Sequence, residues 1–293
     1  MRKLILAFLI AAWTLSAVHA SININTEAVK QCVVFIYGVG PDGKANTTKP
    51  DATGFLVSVP TTDTPTKYYW LLVTARHVFD PEWTGCPALG TNPEKVFVRV
   101  NMLQYDPVKD LTGVDYIEVD LASQGKRLFA VGNDDSDVAA VLTNPSKFDV
   151  SKYTLNTIKL SEFGTNDDMK KLSIGDDVVS AGLMPFYTGV KRNYPIFKFG
   201  KVSSIPDELV PLGCGQRNIR EVLIAANMFP GSSGSPVFVV SPGGNGVSFG
   251  GKTFLMGIQS NSYIPAEVAG VTPVTAILDA IKSMQLSDAN LSR

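Results

Sequence analysis

Three short segments of the chain carry residue types that could support nucleophilic catalysis. One places His77 just after the apolar run Leu71–Thr74, one places Asp137 just before the apolar run Val138–Leu142, and one holds Ser233 in a Gly/Ser-rich loop bracketed by prolines. A serine hydroxyl is a weak nucleophile at neutral pH, so a base such as an imidazole must take its proton as it attacks. Taken alone, the first segment also fits a structural histidine, the second a solvated loop and the third a flexible Gly/Ser linker.

The chain offers little choice of imidazole, because it contains only two histidines, His19 and His77. Residues 1–20 combine a basic start, an apolar core and small residues before Ala20, which predicts a secretory signal peptide cut after Ala20. A short membrane anchor is the alternative, but a spanning helix needs about 20 apolar residues. We therefore expect a secreted or periplasmic protein without a membrane anchor after processing, in which His77 is the remaining imidazole.

Composition limits the classes of partner and cofactor. The 293 residues carry a formal net charge of −1, and 45% of them are hydrophobic. These values exclude a mostly disordered chain and a nucleic-acid binder that relies on overall basicity. A single imidazole cannot build a zinc site from clustered histidines, so we expect no metal and no cofactor. The acidic turn around Asp134, Asp135 and Asp137 could form a calcium loop, but its spacing lacks the remaining ligands.

The cysteines Cys32, Cys86 and Cys214 are odd in number. An exported chain can form disulfides, so one bridge and one free thiol are possible. The sequence does not choose the pair.

Short runs rich in Val, Ile, Phe and Tyr fall into two groups, separated by a polar stretch after Leu142. The first group is Cys32–Tyr37, Gly54–Val59, Tyr68–Val73, Lys95–Val100, Tyr116–Leu121 and Val138–Leu142, and the second is Asp177–Gly182, Ile196–Ser203, Val222–Ala226, Pro236–Val240 and Lys252–Ser260. Near the end, the spacing of Val274, Ile277, Leu278 and Ile281 predicts a helix packed on a core. This order favours two antiparallel barrels or sandwiches over a parallel α/β sheet.

Together and in chain order, the three segments resemble the chymotrypsin-like (trypsin-like) serine peptidases, of the bacterial secreted type. The matches are T-A-x-H at Thr74–His77, D-V-A at Asp137–Ala139 and G-x-S-G-S-P at Gly231–Pro236. The order His-Asp-Ser belongs to this family, whereas other serine hydrolases use other orders. Softer matches extend the resemblance from about Val29 to Ile281.

The resemblance implies an all-β fold of two antiparallel six-stranded barrels with a C-terminal helix. Residues 21–150 would form the barrel that carries His77 and Asp137, residues 151–170 a connector, and residues 171–293 the barrel that carries Ser233. The implied activity is a serine endopeptidase that hydrolyses protein or peptide substrates through an acyl-enzyme. His77 would be the base, Asp137 would orient it, and the N–H groups of Gly231 and Ser233 would form the oxyanion hole.

The resemblance also suggests where substrate binds. By count, Asn227 would lie at the base of the primary specificity pocket, and because it is not acidic a demand for Arg or Lys is not supported. Ser260, Asn261 and Ser262 would form a pocket wall that pairs with substrate backbone, and Ser260 could hydrogen-bond Asp137. Ser232 replaces the aspartate that pairs with a freed N-terminus in zymogen-activated members, so activation of that kind is not expected.

Two other functions remain open from the sequence. A binding protein on the same fold could have lost catalysis through an occluded cleft. A secreted esterase could use the same three residues. The oligomeric state is not predicted.

Overall fold

The computed structural model describes residues 21–22, 24–64, 66–106, 108–109, 113–184, 186–213, 217–226, 229, 231–240, 242–243, 253–263 and 266–291. The predicted signal peptide, residues 1–20, lies outside the described residues. Within those ranges, no helix has the length and apolar character needed to cross a membrane.

The described chain is mostly β-structure. In its first half the strands are β1 (Ser21–Ile22), β2 (Val33–Tyr37), β3 (Ala52–Pro60), β4 (Tyr68–Thr74), β5 (Lys95–Asn101), β6 (Val114–Asp120), β7 (Ala122–Ser123), β8 (Lys126–Arg127), β9 (Phe129–Val131), β10 (Ala139–Leu142) and β11 (Ile158–Lys159). In its second half they are β12 (Asp177–Gly182), β13 (Ile196–Ser204), β14 (Val210–Pro211), β15 (Asn218–Ile219), β16 (Val222–Ala225), β17 (Pro236–Val239), β18 (Pro242–Gly243), β19 (Phe254–Tyr263) and β20 (Val268–Pro273).

Helices are short and lie between the strands or at the end of the chain. The α-helices are α1 (Thr26–Cys32), α2 (Arg76–Phe79), α3 (Asn166–Lys170) and α4 (Val274–Ser283). Single 3-10 turns cover Pro81–Thr84, Pro87–Leu89 and Leu160–Glu162. The predicted C-terminal helix is confirmed as α4, and its predicted apolar stripe of Val274, Ile277, Leu278 and Ile281 is buried.

The first sheet has the strand order β6-β5-β2-β3-β4-β10-β9, with β11 parallel to β3 at one side. Side chains of β2 alternate between two cores, because Val33 and Phe35 face one and Val34 and Ile36 face the other. The first of these cores continues into α4 and into the second half of the chain through Val179. The first core therefore holds this sheet against the rest of the molecule, whereas the second core lies within the first half of the chain.

The second half forms a closed barrel in the order β12-β13-β16-β20-β19-β17. Its interior is filled by alternate apolar side chains, among them Val178, Val202, Ile224, Met256 and Val271. This barrel confirms that a six-stranded antiparallel barrel occupies the second half of the chain.

The first sheet differs from the closed barrel that the resemblance implies. Among the described strands, no pairing joins its edge strands β6 and β9, so the sheet is an open half-barrel. The chain leaves β6 through the separate hairpin β7–β8 before it enters β9, which is only three residues long. A strand of that length offers few groups with which to close the sheet.

Candidate active site

Strand register brings His77 and Asp137 together. Strand β4 pairs antiparallel with β10, and Thr74 lies opposite Ala139. His77 follows Thr74 by three positions and Asp137 precedes Ala139 by two, so both lie beyond the same end of this strand pair. Helix α2 starts at Arg76 and turns the chain back at once, which keeps His77 beside the acidic loop.

Asp137 makes two hydrogen bonds to His77. The backbone N–H of His77 donates to Asp137 Oδ1 at 2.9 Å, and His77 Nδ1 lies 2.6 Å from Asp137 Oδ2. An ionised carboxylate only accepts hydrogen bonds, so Nδ1 carries the proton and Nε2 is left to act as a base. The Asp137 side chain is fully buried and the His77 side chain is 16% exposed. The ring is therefore fixed on one side and reachable on the other.

Two opposing effects set the pKa of His77. Burial lowers it, because an imidazolium is poorly solvated inside the protein. The charge and hydrogen bond of Asp137, with a smaller contribution from Glu221, outweigh burial and raise the pKa above its ordinary value. The site therefore favours the protonated imidazole that forms when His77 accepts a proton.

The loop that carries Ser233 has its carbonyl groups turned toward the first sheet. The Thr53 hydroxyl donates to the Gly231 carbonyl and the Thr53 N–H donates to the Ser233 carbonyl, both at 3.0 Å. Gly231 and Gly234 have φ values of 92° and 86°, which a side chain would make costly. The two glycines thus allow the tight turn that these hydrogen bonds require.

The same turn leaves two N–H groups of the loop available. The Ser232 N–H donates to the Phe229 carbonyl, and the Gly234 N–H donates to the Gln259 carbonyl. In the described part of the chain, the N–H groups of Gly231 and Ser233 donate to no protein acceptor. Two unused donors on alternate residues of a tight turn can hold an oxyanion.

Close packing places Ser233 at the end of β4. A Cβ atom on the neighbouring Gly234 would lie 2.1 Å from the Thr53 carbonyl oxygen and 2.3 Å from the Thr74 hydroxyl. Thr74 precedes His77 by three residues, so the loop that carries Ser233 packs against the strand end that leads to the imidazole. Among the described residues, no hydrogen bond joins the Ser233 hydroxyl to the His77 ring. In enzymes without substrate such contacts are often long, and they tighten when substrate binds.

Ser232 is buried behind the loop. Its hydroxyl donates to the Leu183 carbonyl at 3.2 Å, and the side chain has almost no exposure. Ser232 thus makes a neutral hydrogen bond, as expected for a residue that cannot form an ion pair.

The predicted pocket wall lies on strand β19 and makes hydrogen bonds within the barrel. Asn261 Nδ2 donates to the Pro211 carbonyl at 3.3 Å, and Ser262 accepts a hydrogen bond from Gln259 Nε2 at 2.8 Å. The Ser260 hydroxyl donates to Glu221 Oε1 at 2.6 Å. Asn227, the predicted pocket base, lies outside the described residues.

The expected hydrogen bond from Ser260 to Asp137 is wrong, because Glu221 occupies the accepting position. Sequence reasoning did not single out Glu221. A usable signal was present, since a lone acid directly before the apolar run Val222–Ala225 is an unusual start for a buried strand.

The acidic turn contacts two arginines and a tryptophan. Asp134 accepts hydrogen bonds from the Trp83 indole and from Arg217, and Asp135 faces Arg220 at 3.6 Å. The described residues include no group of three or more His, Cys, Asp or Glu side chains arranged to hold a metal ion. These contacts tie the acidic turn to the segment that precedes β16.

The cysteines differ in state. Cys86 is disulfide-bonded, and Cys32 is a buried free thiol. Burial raises the pKa of Cys32 to about 12, which suppresses its reactive thiolate. Cys214 lies outside the described residues.

Comparisons with known proteins gave two kinds of match, to solved structures and to a family model. The active form of the Rv3671c protease from M. tuberculosis is similar at 16% identity and a TM-score of 0.47, over 92% of this chain and 86% of that one. Its inactive form is similar at 16% identity and a TM-score of 0.46, over 89% of this chain and 92% of that one. A comparison with curated proteins finds no match. The family model described as a trypsin-like peptidase domain matches residues 52–243, more than half of the chain, and the protein is therefore a member of the trypsin-like peptidase family.

Proposed function

We propose that the protein is an exported serine endopeptidase that uses His77, Asp137 and Ser233. The observation that carries this proposal is the pairing of His77 Nδ1 with the buried Asp137 carboxylate at 2.6 Å. That pairing fixes the ring through Nδ1, and in this proposal Nε2 accepts the proton of Ser233. A surface histidine would have no need of a fully buried carboxylate.

The proposed reaction proceeds through an acyl-enzyme. Ser233 Oγ attacks the carbonyl carbon of the scissile peptide bond while its proton passes to His77 Nε2. The carbonyl oxygen becomes an oxyanion held by the N–H groups of Gly231 and Ser233, and one such donor is typically worth about 10²–10³ in rate. The C–N bond then breaks, and His77 gives its proton to the departing amine.

Hydrolysis of the acyl-enzyme repeats these roles with water. His77 takes a proton from water as the water oxygen attacks the ester carbonyl, and the proton then returns to Ser233 Oγ as the carboxylic product leaves. Asp137 stays ionised throughout and stabilises each imidazolium that forms. No group beyond the side chains, the backbone and water is required.

Substrate would bind along the edge of the barrel. In this proposal Ser260, Asn261 and Ser262 pair with the extended backbone of a protein or peptide, as an added strand does. Asn227 would contribute a neutral pocket base, so cleavage would not require Arg or Lys. The first sheet, within residues 21–150, would serve as the first barrel, residues 151–170 as the connector and residues 171–293 as the second barrel.

The activity is tested with purified residues 21–293 on a mixed peptide library and on matched ester substrates. We expect the wild-type protein to cleave internal peptide bonds and the Ser233→Ala variant to form no cleavage product. Ester turnover without peptide cleavage would favour an esterase instead. Absence of both activities in a folded preparation would favour a binding protein.

Export is a separate part of the proposal and is tested separately. The full chain is produced in a bacterial host, and the protein is recovered from the periplasm or medium for N-terminal sequencing. We expect the mature protein to start at Ser21, as the small residues before Ala20 indicate. Retention of residues 1–20 in the membrane fraction would contradict export and favour an anchor.

A further inference from the structure

Glu221 is a buried acid that the proposed mechanism does not use. It directly precedes β16, and its relative exposure is 2%. One carboxylate oxygen, Oε1, accepts the hydrogen bond of Ser260, whereas Oε2 is buried and has no hydrogen-bond partner among the residues that the structure describes. Burying a half-satisfied carboxyl is costly, so its presence calls for a compensating role.

The barrel leaves room for this carboxyl at one position. A Cβ atom on Gly270 would lie 2.2 Å from both Glu221 oxygens, so only glycine fits against them. Gly270 lies on β20, which pairs with β16 beside Glu221. The Glu221 carboxyl is therefore held by the hydrogen bond from Ser260 on β19, and it fills the space that Gly270 on β20 leaves open.

The segment before β16 is also fastened to the loop that carries Asp137. The Arg220 N–H donates to the Asp135 carbonyl at 2.8 Å, and the Arg220 guanidinium faces the Asp135 carboxylate at 3.6 Å. Asp135 precedes Asp137 by two residues and Arg220 precedes Glu221 by one. This backbone link holds the segment that carries Glu221 against the loop that carries Asp137, and the charges of Asp137 and Glu221 each raise the pKa of a partner in this group.

We propose that Glu221 is a positioning residue for the triad, whose negative charge near Asp137 stabilises the imidazolium form of His77. The proposal deepens the proposed function and rests on it for its catalytic consequence. The groups that face Glu221 are Asp137 from the loop before β10, His77 from α2, and Ser260 and Tyr263 from β19. Gly270 of β20 contributes no charge, and the Tyr263 hydroxyl donates to the Pro211 carbonyl.

The charge of Glu221 changes with pH in the same range in which the His77 imidazole gains and loses its proton. Burial raises the pKa of Glu221 to about 7, and the nearby charge of Asp137 adds to this effect. Above that range, two carboxylates act on one imidazole and oppose the loss of its proton. The two groups titrate as a coupled system, so replacing one must change the apparent titration of the other.

The test reads the His77 titration directly, because residues 21–293 contain no other histidine. Histidine-labelled protein carrying Ser233→Ala is titrated by NMR, so the result does not depend on catalysis. Glu221→Gln keeps the shape and the Ser260 hydrogen bond but removes the charge. We expect the proton dissociation constant of His77 to rise at least about threefold, which corresponds to a fall of about half a pKa unit.

Two further variants separate charge from structure. Gly270→Ala moves the Glu221 carboxyl away but leaves the glutamate itself in place. Like Glu221→Gln, it is expected to lower the pKa of His77. Glu208→Gln removes an exposed carboxylate from the same half of the chain and is expected to leave the His77 titration unchanged. If Glu221→Gln does not fold, Gly270→Ala alone decides the question.

The enzyme with Ser233 intact supplies the catalytic readout. We expect Glu221→Gln to lower kcat more than it changes KM, and to move the acidic limb of the kcat/KM profile to lower pH. An unchanged His77 titration in folded Glu221→Gln and Gly270→Ala would overturn the inference. A shifted titration in a protein without peptidase activity would support the coupling and contradict the proposed function.

Discussion

The hydroxyl of Thr53 donates a hydrogen bond to the carbonyl of Gly231 at 3.0 Å, across 178 residues of sequence. The same hydroxyl accepts a hydrogen bond from the Leu183 N–H at 2.9 Å. Thr53 belongs to the first sheet, whereas Gly231 and Leu183 belong to the second half of the chain. One buried side chain therefore joins both halves at the loop whose N–H groups are proposed to bind the oxyanion.

Replacing Thr53 with valine should damage catalysis more than substrate binding. The shape is kept, but the Gly231 carbonyl and Leu183 N–H lose their partner, which costs about 1–3 kcal/mol of stability. Without that anchor the Gly231 peptide can rotate its N–H away from the oxyanion, so kcat should fall about 100-fold. Steady-state kinetics on a peptide substrate, with KM nearly unchanged, checks this.

Thr143→Val provides the matched control. Thr143 is also buried, and its hydroxyl donates to the Trp70 carbonyl at 2.9 Å, away from the serine loop. We expect a similar loss of stability and an unchanged kcat. Equal kcat values for Thr53→Val and wild-type protein would contradict the role given to Thr53.

Asp137→Asn should remove most of the activity and leave the fold intact. An amide replaces one accepting oxygen with an N–H₂ donor, which at His77 Nδ1 favours the wrong imidazole tautomer. On that basis kcat should fall by about 10⁴. The pKa of His77 should also fall, because the charge and hydrogen bond that raise it are lost. A variant with near-wild-type kcat would show that His77 does not depend on this carboxylate.

The stability of the protein should decline as pH rises from about 4.5 to about 7. Burial raises the pKa of Glu221 from 4.5 to about 7, so the folded state binds more protons than the unfolded state between these pH values. The free energy of unfolding therefore falls over this range, by roughly 3 kcal/mol for such a shift. Glu221→Gln should lack this decline.

Chemical denaturation between pH 4.5 and 8 in the Ser233→Ala background measures the effect. The raised pKa of His77 acts in the same direction, because its stabilisation is complete below its unfolded pKa of about 6.5 and is lost as pH passes the folded value. The contribution of His77 to the pH dependence remains, at least in part, both in the Ser233→Ala protein and in the same protein carrying Glu221→Gln. Parallel pH curves for the two proteins would contradict the burial of an ionisable Glu221.

Cys32 should be inert in the folded protein. Its thiol is buried, its Sγ donates to the Ala28 carbonyl, and burial raises its pKa to about 12. An alkylating reagent at pH 8 should leave Cys32 unmodified until denaturant is added, with peptide mass mapping as the readout. Fast labelling in native conditions would place the thiol at the surface.

Local patterns predicted most of the strands and the last helix. Residue types that favour strands gave β12 with its observed bounds, and the helical spacing of apolar residues gave α4. Strand β20 escaped notice because Gly270 and Pro273 interrupt its run of β-formers, although it completes the barrel. The opening of the first sheet depends on which edges pair, and no local pattern carries that information.

The residues of the candidate site also separate into those that local sequence patterns predicted and those that they did not. Motifs identified His77, Asp137 and the serine loop, because their chemistry imposes residue types over a few positions. Thr53 and Glu221 make their hydrogen bonds to distant segments, and a single threonine or glutamate carries no local sign of such a partner. The expectation that Ser260 bonds Asp137 failed for this reason, since the competing acceptor, Glu221, comes from the segment before β16.

The most direct test of the account is covalent labelling with a fluorophosphonate, followed by intact mass and peptide mapping. The reagent reports a serine whose proton is taken by a neighbouring base and whose developing oxyanion is stabilised. We predict one adduct per folded chain, located on Ser233, absent in Ser233→Ala and formed far more slowly in His77→Ala. A folded protein that remains unlabelled, or that is labelled equally fast without His77, would contradict the proposed triad.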